Sequence, residues 1–303
     1  MKPMISLSTG AFFERATRQI GSLRERANDL QNQIGSGERL SRSSDDPVAA
    51  ARLRTLARRE RLSEVDQRNS ERAMMDLQLT DQALAGMANL VIRAKELAMQ
   101  AASQTMGPEQ RQILQAEIEG VRESLLMVAN SRDGGGRALF GGQAPGLAYD
   151  ETGTYIGTST AETVEIGEGQ VVTRALTGPE VLSFDQGGTP TNVFAVLGAL
   201  GLALQDPAAE HSSLAQAALG GIDASLEKIT TAQTIVGARM GWVEIIDDRR
   251  VATGELGAEE RAQIGGADLA TTMTRLQELM TVLEASQASF IRVASLSLFD
   301  KLR

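Results

Sequence analysis

Few residues of this chain have the types and spacing that chemistry requires. Asp45 and Asp46 are adjacent carboxylates, which could bind a metal ion or act as acid and base. They stand directly before Pro47, however. An aspartate at this position caps a helix by accepting from free backbone N–H groups, and a proline at the first helical position sacrifices no hydrogen bond. We therefore interpret Asp45, Asp46 and Pro47 as a helix-capping turn.

Two further features could hold a ligand. The glycine-rich stretch 133–136 could cradle a phosphate, but no Lys-Ser/Thr pair follows it and no clear strand precedes it, which indicates an exit from a helix instead. His211 is the single histidine, and the chain has no cysteine that could share a metal ion with it. We assign no catalytic, metal-binding or cofactor-binding residue and no cofactor, and we expect that the protein is not an enzyme.

A basic run could bind nucleic acid. It comprises Arg52, Arg54, Arg58, Arg59 and Arg61, it lacks interleaved aromatic residues, and glutamates lie within and just after it. The net charge of −9 argues against a general nucleic-acid role. The run is therefore predicted to be a solvated helix face, or a face turned toward an acidic neighbour.

Both ends of the chain carry seven-residue apolar repeats. Leu269, Leu276, Leu283 and Phe290 lie one heptad apart. Such a repeat forms a narrow apolar seam that needs a partner helix, so we predict that the two ends pair with each other or with neighbouring subunits. The residues predicted to form subunit contacts through these seams are Phe13, Ile20, Leu23, Leu30, Ile34, Leu269, Leu276, Leu279, Leu283, Phe290, Val293, Leu296 and Phe299.

Between the ends, helical and β patterns alternate. The spacing predicts a helix over 62–104, a second helix from Pro108 that forms an αα-hairpin with the first, and helix again from Asn192 onward. A break is predicted at 253–257. Residues 137–189 are rich in Gly, Thr and Val with period-two alternation, which predicts one small antiparallel β domain. The fold class is mainly α, with long coiled-coil helices from both chain halves and a β insertion.

These patterns predict three domains: 1–61 with 254–303, 62–132 with 192–253, and 133–191. No apolar run has the length of a membrane span, and the first residues lack the apolar core of a cleaved secretory signal. We expect no membrane association. If the protein leaves the cytoplasm, we expect its export not to depend on such a signal. The absence of cysteine suits a protein that crosses from the cytoplasm to the exterior.

Several of these stretches resemble the flagellin superfamily. They are Gly-Glu-Arg-Leu at 37–40 and Ser-Asp-Asp-Pro-Val-Ala-Ala at 44–50, together with the terminal heptads. Asp-Asp-Pro, where flagellins usually have Asp-Asp-Ala, is typical of the hook–filament junction proteins of that superfamily. The exit from the helical core at 132–142, Val-Gly-Ala-Arg-Met at 236–240 and the ending Ser-Leu-Phe-Asp-Lys-Leu-Arg at 297–303 are similar to that group as well.

The resemblance implies a structural subunit of the bacterial flagellum that forms the junction between hook and filament. It would be exported through the flagellar type III apparatus, with a cytoplasmic export chaperone covering its C-terminal helix beforehand. Outside the cell it would form a ring with itself, between a hook-side junction protein and flagellin. The terminal helices would make an inner tube, and the β domain would face outward.

Other functions stay open at this point. Flagellin, the filament subunit, shares the terminal helices, and a coiled-coil component of another type III system is a further alternative. A cytoplasmic signalling coiled coil, or an enzyme with a helical core, belongs to a different class. An enzyme needs a convergent set of acids, bases or metal ligands, and the sequence offers none. A signalling coiled coil would not need the β insertion.

Overall fold

The computed structural model describes residues 5–40, 42–103, 106–167, 169–206 and 210–300, and side chains are described from residue 13 in the first helix and up to residue 293 in the last. The described residues form seven helices and four strands in the following order: α1 (Ile5–Ser36), α2 (Pro47–Ala101), α3 (Pro108–Ala129), β1 (Thr163–Gly167), β2 (Gln170–Thr173), α4 (Gly178–Leu182), β3 (Ser183–Gln186), β4 (Thr189–Asn192), α5 (Val193–Gln205), α6 (His211–Gly265) and α7 (Leu269–Asp300). The mainly helical class with paired terminal helices is confirmed.

The chain divides into two compact units. The terminal unit comprises residues 1–61 and 252–303, and the central unit comprises residues 62–251. Helices α2 and α6 contribute residues to both units. The β strands belong to the same compact unit as the central helices. The separate outer β domain stays a prediction.

In the terminal unit, α1 ends directly before a glycine. Ser36 is its last residue, and Gly37 follows with a φ of 71°, the left-handed region that a residue without Cβ adopts at little cost. The Gly37 N–H donates to the Gln33 carbonyl at 2.9 Å, which satisfies one of the carbonyls left free at the helix end.

The helices of the central unit share one apolar core. Leu84 and Val91 of α2 are fully buried with Ile118 and Leu125 of α3, as the heptad spacing predicted. Pro108 is the first residue of α3, so the predicted start is confirmed. Arg93 of α2 also reaches Glu117 of α3 at 2.8 Å. Helix α5 packs against α3 with its apolar face, and its start is capped by Asn192, whose Oδ1 accepts from the Ala195 N–H at 2.9 Å.

The β region differs in detail from the prediction. Strands β1 and β2 lie in the predicted stretch 137–189 and pair antiparallel, whereas β3 and β4 form a second, separate antiparallel hairpin. A short helix, α4, precedes β3. Its start was not predicted, although Thr177 and Glu180 carry the spacing of a capping box, and the Thr177 N–H does donate to the Glu180 carboxylate at 2.7 Å. Two small hairpins packed on helices therefore replace a single sheet.

The predicted break at 253–257 is wrong, because α6 continues through it to Gly265. A glycine in an exposed helix costs only about 1 kcal/mol relative to alanine, so Gly254 and Gly257 do not stop the helix by themselves. Residues beyond the supposed break pair with α2: Arg52 contacts Glu260 at 2.5 Å, and Arg261 contacts Glu60 at 2.7 Å. Asp206 followed by Pro207 also has the sequence of a capped helix start, but Pro207 lies outside the described residues.

A buried ion pair joins the first hairpin to the helices of the central unit. Arg174 follows β2 and is 7% exposed, and it contacts the Asp76 carboxylate of α2 at 2.9 Å. It also contacts Glu162 at 2.5 Å. Burial raises the pKa of Asp76, although the Arg174 guanidinium opposes this shift. Asp76 and Arg174 thus hold the hairpin against α2 through an ion pair that is largely buried.

Candidate assembly interface

The seams at the two chain ends meet inside one chain. The rings of Phe13 on α1 and Phe290 on α7 lie edge to face with centroids 5.4 Å apart. Leu23 and Ala27 of α1 are buried, as are Thr272 and Leu283 of α7. The intrachain pairing of the heptad helices is therefore confirmed, and it builds a two-helix structure on which an assembly interface could form.

The predicted seam residues divide into four groups. Phe13, Ile20, Leu30, Ile34, Leu276, Leu279 and Phe290 are partly buried, and Leu23 and Leu283 are buried. Leu269 and Val293 are 46% and 39% exposed, so they do not belong to the buried part of the seam. Leu296 and Phe299 lie on α7 outside the residues whose side chains are described. The assignment of these residues to contacts between subunits stays a prediction.

Helix α7 carries a second apolar surface that the sequence analysis did not predict. Met273, Met280 and Ile291 are exposed, and with Leu269 they lie on one side of the helix, next to the seam that faces α1. In the sequence, this surface corresponds to apolar residues spaced four, seven and eleven positions apart. Once the heptad seam is assigned to α1, this outer stripe is the apolar surface left for a neighbour.

A shallow groove between α1 and α7 lies on the opposite side of the seam from this stripe. Leu30, Leu279 and Val282 supply its apolar side chains, and charged residues of both signs supply the rest of its lining. The charged residues are Arg26 and Asp29 on α1 and Arg275 and Glu278 on α7. An apolar floor with charges of both signs at the rim suits an amphipathic helix better than a small molecule.

The capping turn between α1 and α2 has the predicted geometry. The Asp46 Oδ1 accepts from the Ala49 N–H at 3.0 Å, and Pro47 is the first residue of α2. Asp45 accepts from the Arg42 N–H at 2.8 Å. The Ala49 hydrogen bond, together with the nearby Arg39 guanidinium, lowers the pKa of Asp46. Asp46 therefore caps α2, and Asp45 closes the turn that precedes it. The described residues contain no cluster of three potential metal ligands.

Arg39 joins the two turns of the terminal unit. Its N–H donates to the Gly265 carbonyl at 2.7 Å, and its guanidinium donates to the Ile264 carbonyl at 3.0 Å. In return, the Ala267 N–H donates to the Gly37 carbonyl at 2.9 Å. The last carbonyl groups of α6 thereby accept hydrogen bonds from the turn that follows α1. These contacts position α1 and α7 side by side.

We predict that Asp46→Ala destabilises the terminal unit by about 1 kcal/mol, the usual value of an N-cap. Because the pKa of Asp46 is lower in the folded state, the stabilisation is fully present above the unfolded pKa and is lost as pH falls through the folded value. Urea unfolding of the full chain between neutral pH and about pH 3 would measure this.

Asp46→Asn is the matched control, because asparagine caps a helix equally well without titrating. We expect it to retain most of the stability at neutral pH and to remove this part of the acid sensitivity. Equal stability of Asp46→Ala and the unchanged chain at neutral pH would contradict the capping role.

The remaining candidates from the sequence show no site. His211 is the first residue of α6, and its Nε2 has no hydrogen-bond partner among the described residues. In the glycine-rich stretch, the Asp133 Oδ1 accepts from the Gly135 and Arg137 N–H groups at 2.8 and 2.9 Å, so the loop is an ordered turn that binds its own carboxylate. Within the described ranges, no helix is long and apolar enough to cross a membrane.

Comparisons with known proteins show which proteins this chain is similar to. Residues 7–144 match the family model described as the bacterial flagellin N-terminal helical region. Polar flagellin F of Vibrio parahaemolyticus is 24% identical over 54% of this chain, which corresponds to 42% of that flagellin. The chain is similar to the flagellins over its N-terminal helical region.

Two relatives that match along almost their whole length are hook-associated proteins. Flagellar hook-associated protein 3 of Escherichia coli K12 is 26% identical over 97% of this chain and 98% of its own length, and that of Salmonella typhimurium is 24% identical with the same coverage. A solved flagellar hook-associated protein from Vibrio parahaemolyticus shares the fold, with a TM-score of 0.67 at 21% identity over 72% of this chain and 98% of its own. The flagellar junction protein FlgL from Legionella pneumophila gives a TM-score of 0.57 at 17% identity, over 71% of this chain and 100% of its own.

Proposed function

We propose that the protein is a structural subunit of the bacterial flagellum that forms the junction between hook and filament. The observation that carries this proposal is the coverage: similarity to hook-associated protein 3 extends over 97% of the chain, whereas similarity to flagellins stops at about half of it. The protein would act outside the cell, as part of the flagellum.

The terminal unit supports an assembly role. The paired α1 and α7 leave two exposed surfaces, an outer apolar stripe and a groove with charged rims. A neighbouring helix could cover either of them. Burying apolar surface contributes about 25 cal/mol per Å², so several such side chains per subunit suffice to hold a polymer together. Copies of this protein would form a ring, with a hook-side junction protein on one face and flagellin on the other.

The route to the assembly site follows from the same proposal. The chain would pass unfolded through the flagellar type III apparatus, and an export chaperone would cover α7 in the cytoplasm. Helix α7 has two long apolar stripes, and a bound chaperone would prevent them from associating with other subunits too early. No part of this proposal requires a catalytic group, a metal ion or a cofactor.

Immunogold electron microscopy tests the junction role. An antibody against residues 137–190 would be applied to detached hook–filament preparations, and we expect a single band of label where hook meets filament. Label along the whole filament would identify a flagellin instead. Absence of label from intact and sheared flagella would exclude a flagellar role.

A further inference from the structure

An apolar stripe runs along the exposed side of α6 within the central unit. Trp242, the single tryptophan of the chain, is 42% exposed, and Ile235 and Ile245 on either side of it are exposed as well. The exposed Ala238 completes the stripe. Successive members are three or four residues apart, so all four fall within about 80° of arc on the helix. Tryptophan is among the side chains that contribute most to binding when a partner covers them.

Helix α3 of the same unit has an exposed apolar face of its own. Ile113 and Met127 lie at its two ends, with Met127 76% exposed, and the exposed Ala116 and Gly120 lie between them. These positions fall within about 60° of arc. Among the described residues, a Cβ added at Gly120 would meet no atom of another element within 4 Å. The middle of this face is therefore low and open, and a large ring from a neighbour could enter it.

Charged residues of opposite sign accompany the two surfaces. Glu109 and Glu123 are exposed on the α3 face, and Lys228 and Arg249 are exposed at the two ends of the α6 stripe, where Glu227 adjoins Lys228. None of the first four has an oppositely charged residue three or four positions away on its own helix. In the described part of the chain, Glu109, Glu123 and Lys228 form no ion pair. The α3 face is thus acidic, and the α6 stripe ends in cations.

Helices α3 and α6 run in the same direction through the central unit, because α2 is antiparallel to both. A second copy that stands beside the first in the same orientation therefore presents its α3 parallel to α6. The contacts that show these directions are Gly86 with Val128 and Arg93 with Glu117 between α2 and α3, and Ser70 with Arg250 and Lys95 with Asp223 between α2 and α6.

One register of such a pair sets Trp242 over the open position at Gly120. Ile235 then lies level with Ile113, since each is seven residues before the central residue of its own surface. Within one chain Gly120 is level with about residue 228, so this register displaces the second copy along the helices by about fourteen residues, or about 21 Å. A displaced contact between two different surfaces repeats from copy to copy along a helical path.

The same register brings the opposite charges together. Glu109 lies within about 5 Å of the level of Lys228, and Glu123 lies within about 6 Å of the level of Arg249, offsets that these long side chains span. Glu227 is level with a position before the start of α3, where the free N–H groups of a helix attract negative charge. Charge complementarity of this kind fixes partner and register as much as it adds affinity.

We infer that the apolar face of α3 binds the Trp242 stripe on α6 of a second copy of this chain. The inference rests on the proposed function, since it names the lateral contact between copies at the junction. Both surfaces belong to the central unit, so the contact is independent of the paired terminal helices.

Disulfide crosslinking between single-cysteine variants tests the contact, because the natural chain has no cysteine that could interfere. Ala116→Cys and Ala238→Cys replace exposed alanines that lie level with each other in the inferred register. The two full chains would be mixed at high concentration and oxidised, and every crosslink would join two copies. We expect the mixed dimer at several times its statistical share. A mixed dimer at its statistical share, or no dimer, would overturn the inference.

Two controls define the surfaces and the register. Ala199→Cys, on the exposed side of α5, should give no excess with either variant. Ala224→Cys would lie level with Ala116→Cys in a contact without displacement along the helices. A crosslink between these two variants, in place of the one to Ala238→Cys, would contradict the placing of Trp242 over Gly120.

Gly120→Glu keeps the test independent of thiol geometry. The position is exposed, and glycine is a poor helix former, so circular dichroism should show a helix content at least as high as before. Added to Ala116→Cys, the substitution should abolish the excess crosslinking, because it places a carboxylate against the Trp242 ring. Ala199→Glu adds the same charge outside the contact and should leave the crosslinking unchanged. Undiminished crosslinking with Gly120→Glu would contradict the contact.

The fluorescence of Trp242 gives a second readout without any cysteine. As the concentration of the unchanged chain rises, its emission should shift to shorter wavelength and acrylamide should quench it less, whereas Gly120→Glu should show neither change. Protection of Trp242 that requires added flagellin and never follows from more of this chain would assign the stripe to flagellin and overturn the inference. Immunogold label at the junction without the mixed dimer would remove this contact and leave the proposed function standing, whereas the mixed dimer without such label would do the reverse.

Discussion

Leu283→Asp is expected to separate α1 from α7 and to abolish assembly. Leu283 is 7% exposed, and it lies in the seam with Phe13 and Leu23 on the facing helix. An unpaired carboxylate in such a position costs about 3–5 kcal/mol, more than a two-helix contact of this length can tolerate. Hydrogen exchange of the full chain would show loss of protection in α1 and α7 and little change in the central unit.

Ala285→Asp is the matched control, because it places the same charge two residues further along, on an exposed position of the same helix. We expect it to retain protection in α1 and α7. In bacteria, Leu283→Asp should be exported in normal amounts and yet give no filament, since export requires an unfolded chain and assembly requires the folded pair. Normal filaments in this variant would contradict the assembly role of the seam.

Asp76→Asn is expected to destabilise the central unit by about 3 kcal/mol. It removes one partner of the ion pair with Arg174 and leaves a buried guanidinium with only Glu162, which is partly exposed. The expected mechanism is local: the first hairpin should detach from α2 before the helices separate. Urea unfolding followed by circular dichroism would give the free energy, and exchange of the β1 and β2 amides would locate the change.

Two comparisons sharpen this prediction. Asp76→Leu combined with Arg174→Met should recover much of the loss, because replacing both partners of a buried pair by apolar residues is often neutral or stabilising. Glu96→Gln removes one partner of the exposed pair with Arg93, and it should cost less than about 1 kcal/mol. A double variant as unstable as Asp76→Asn would contradict this explanation, because it would show that the loss does not come from the uncompensated charge of Arg174.

The sequence predicts the terminal helices, their caps and their pairing, because each depends on local rules. The heptads at Phe13 and Leu283 require partner helices, and Asp46 before Pro47 defines a helix start. What a heptad cannot specify is which helix becomes its partner. The prediction left open whether the seams meet within a chain or between chains, and only the three-dimensional arrangement places Phe290 on Phe13 of the same chain.

Other features escaped prediction because they depend on distant residues. Nothing near Asp76 in the sequence indicates that Arg174 will be buried against it, and both residues look like ordinary surface charges. The glycines at 254 and 257 indicated a break, but pairing of Glu260 and Arg261 with α2 favours the continuous helix. The second hairpin had a local signal in Gly187 and Gly188, whose positive φ angles form the turn between β3 and β4.

The contacts between Arg39 and the end of α6 also determine when the terminal unit can form. Arg39 and Ile264, which it contacts, are 225 positions apart, and α1 has its partner in the last helix of the chain. A chain that is synthesised or delivered from one end therefore presents α1 long before α7 is available. The pair of helices α1 and α7 cannot form until the whole chain has been delivered. An interrupted or truncated chain would therefore lack the paired helices that a neighbour would recognise.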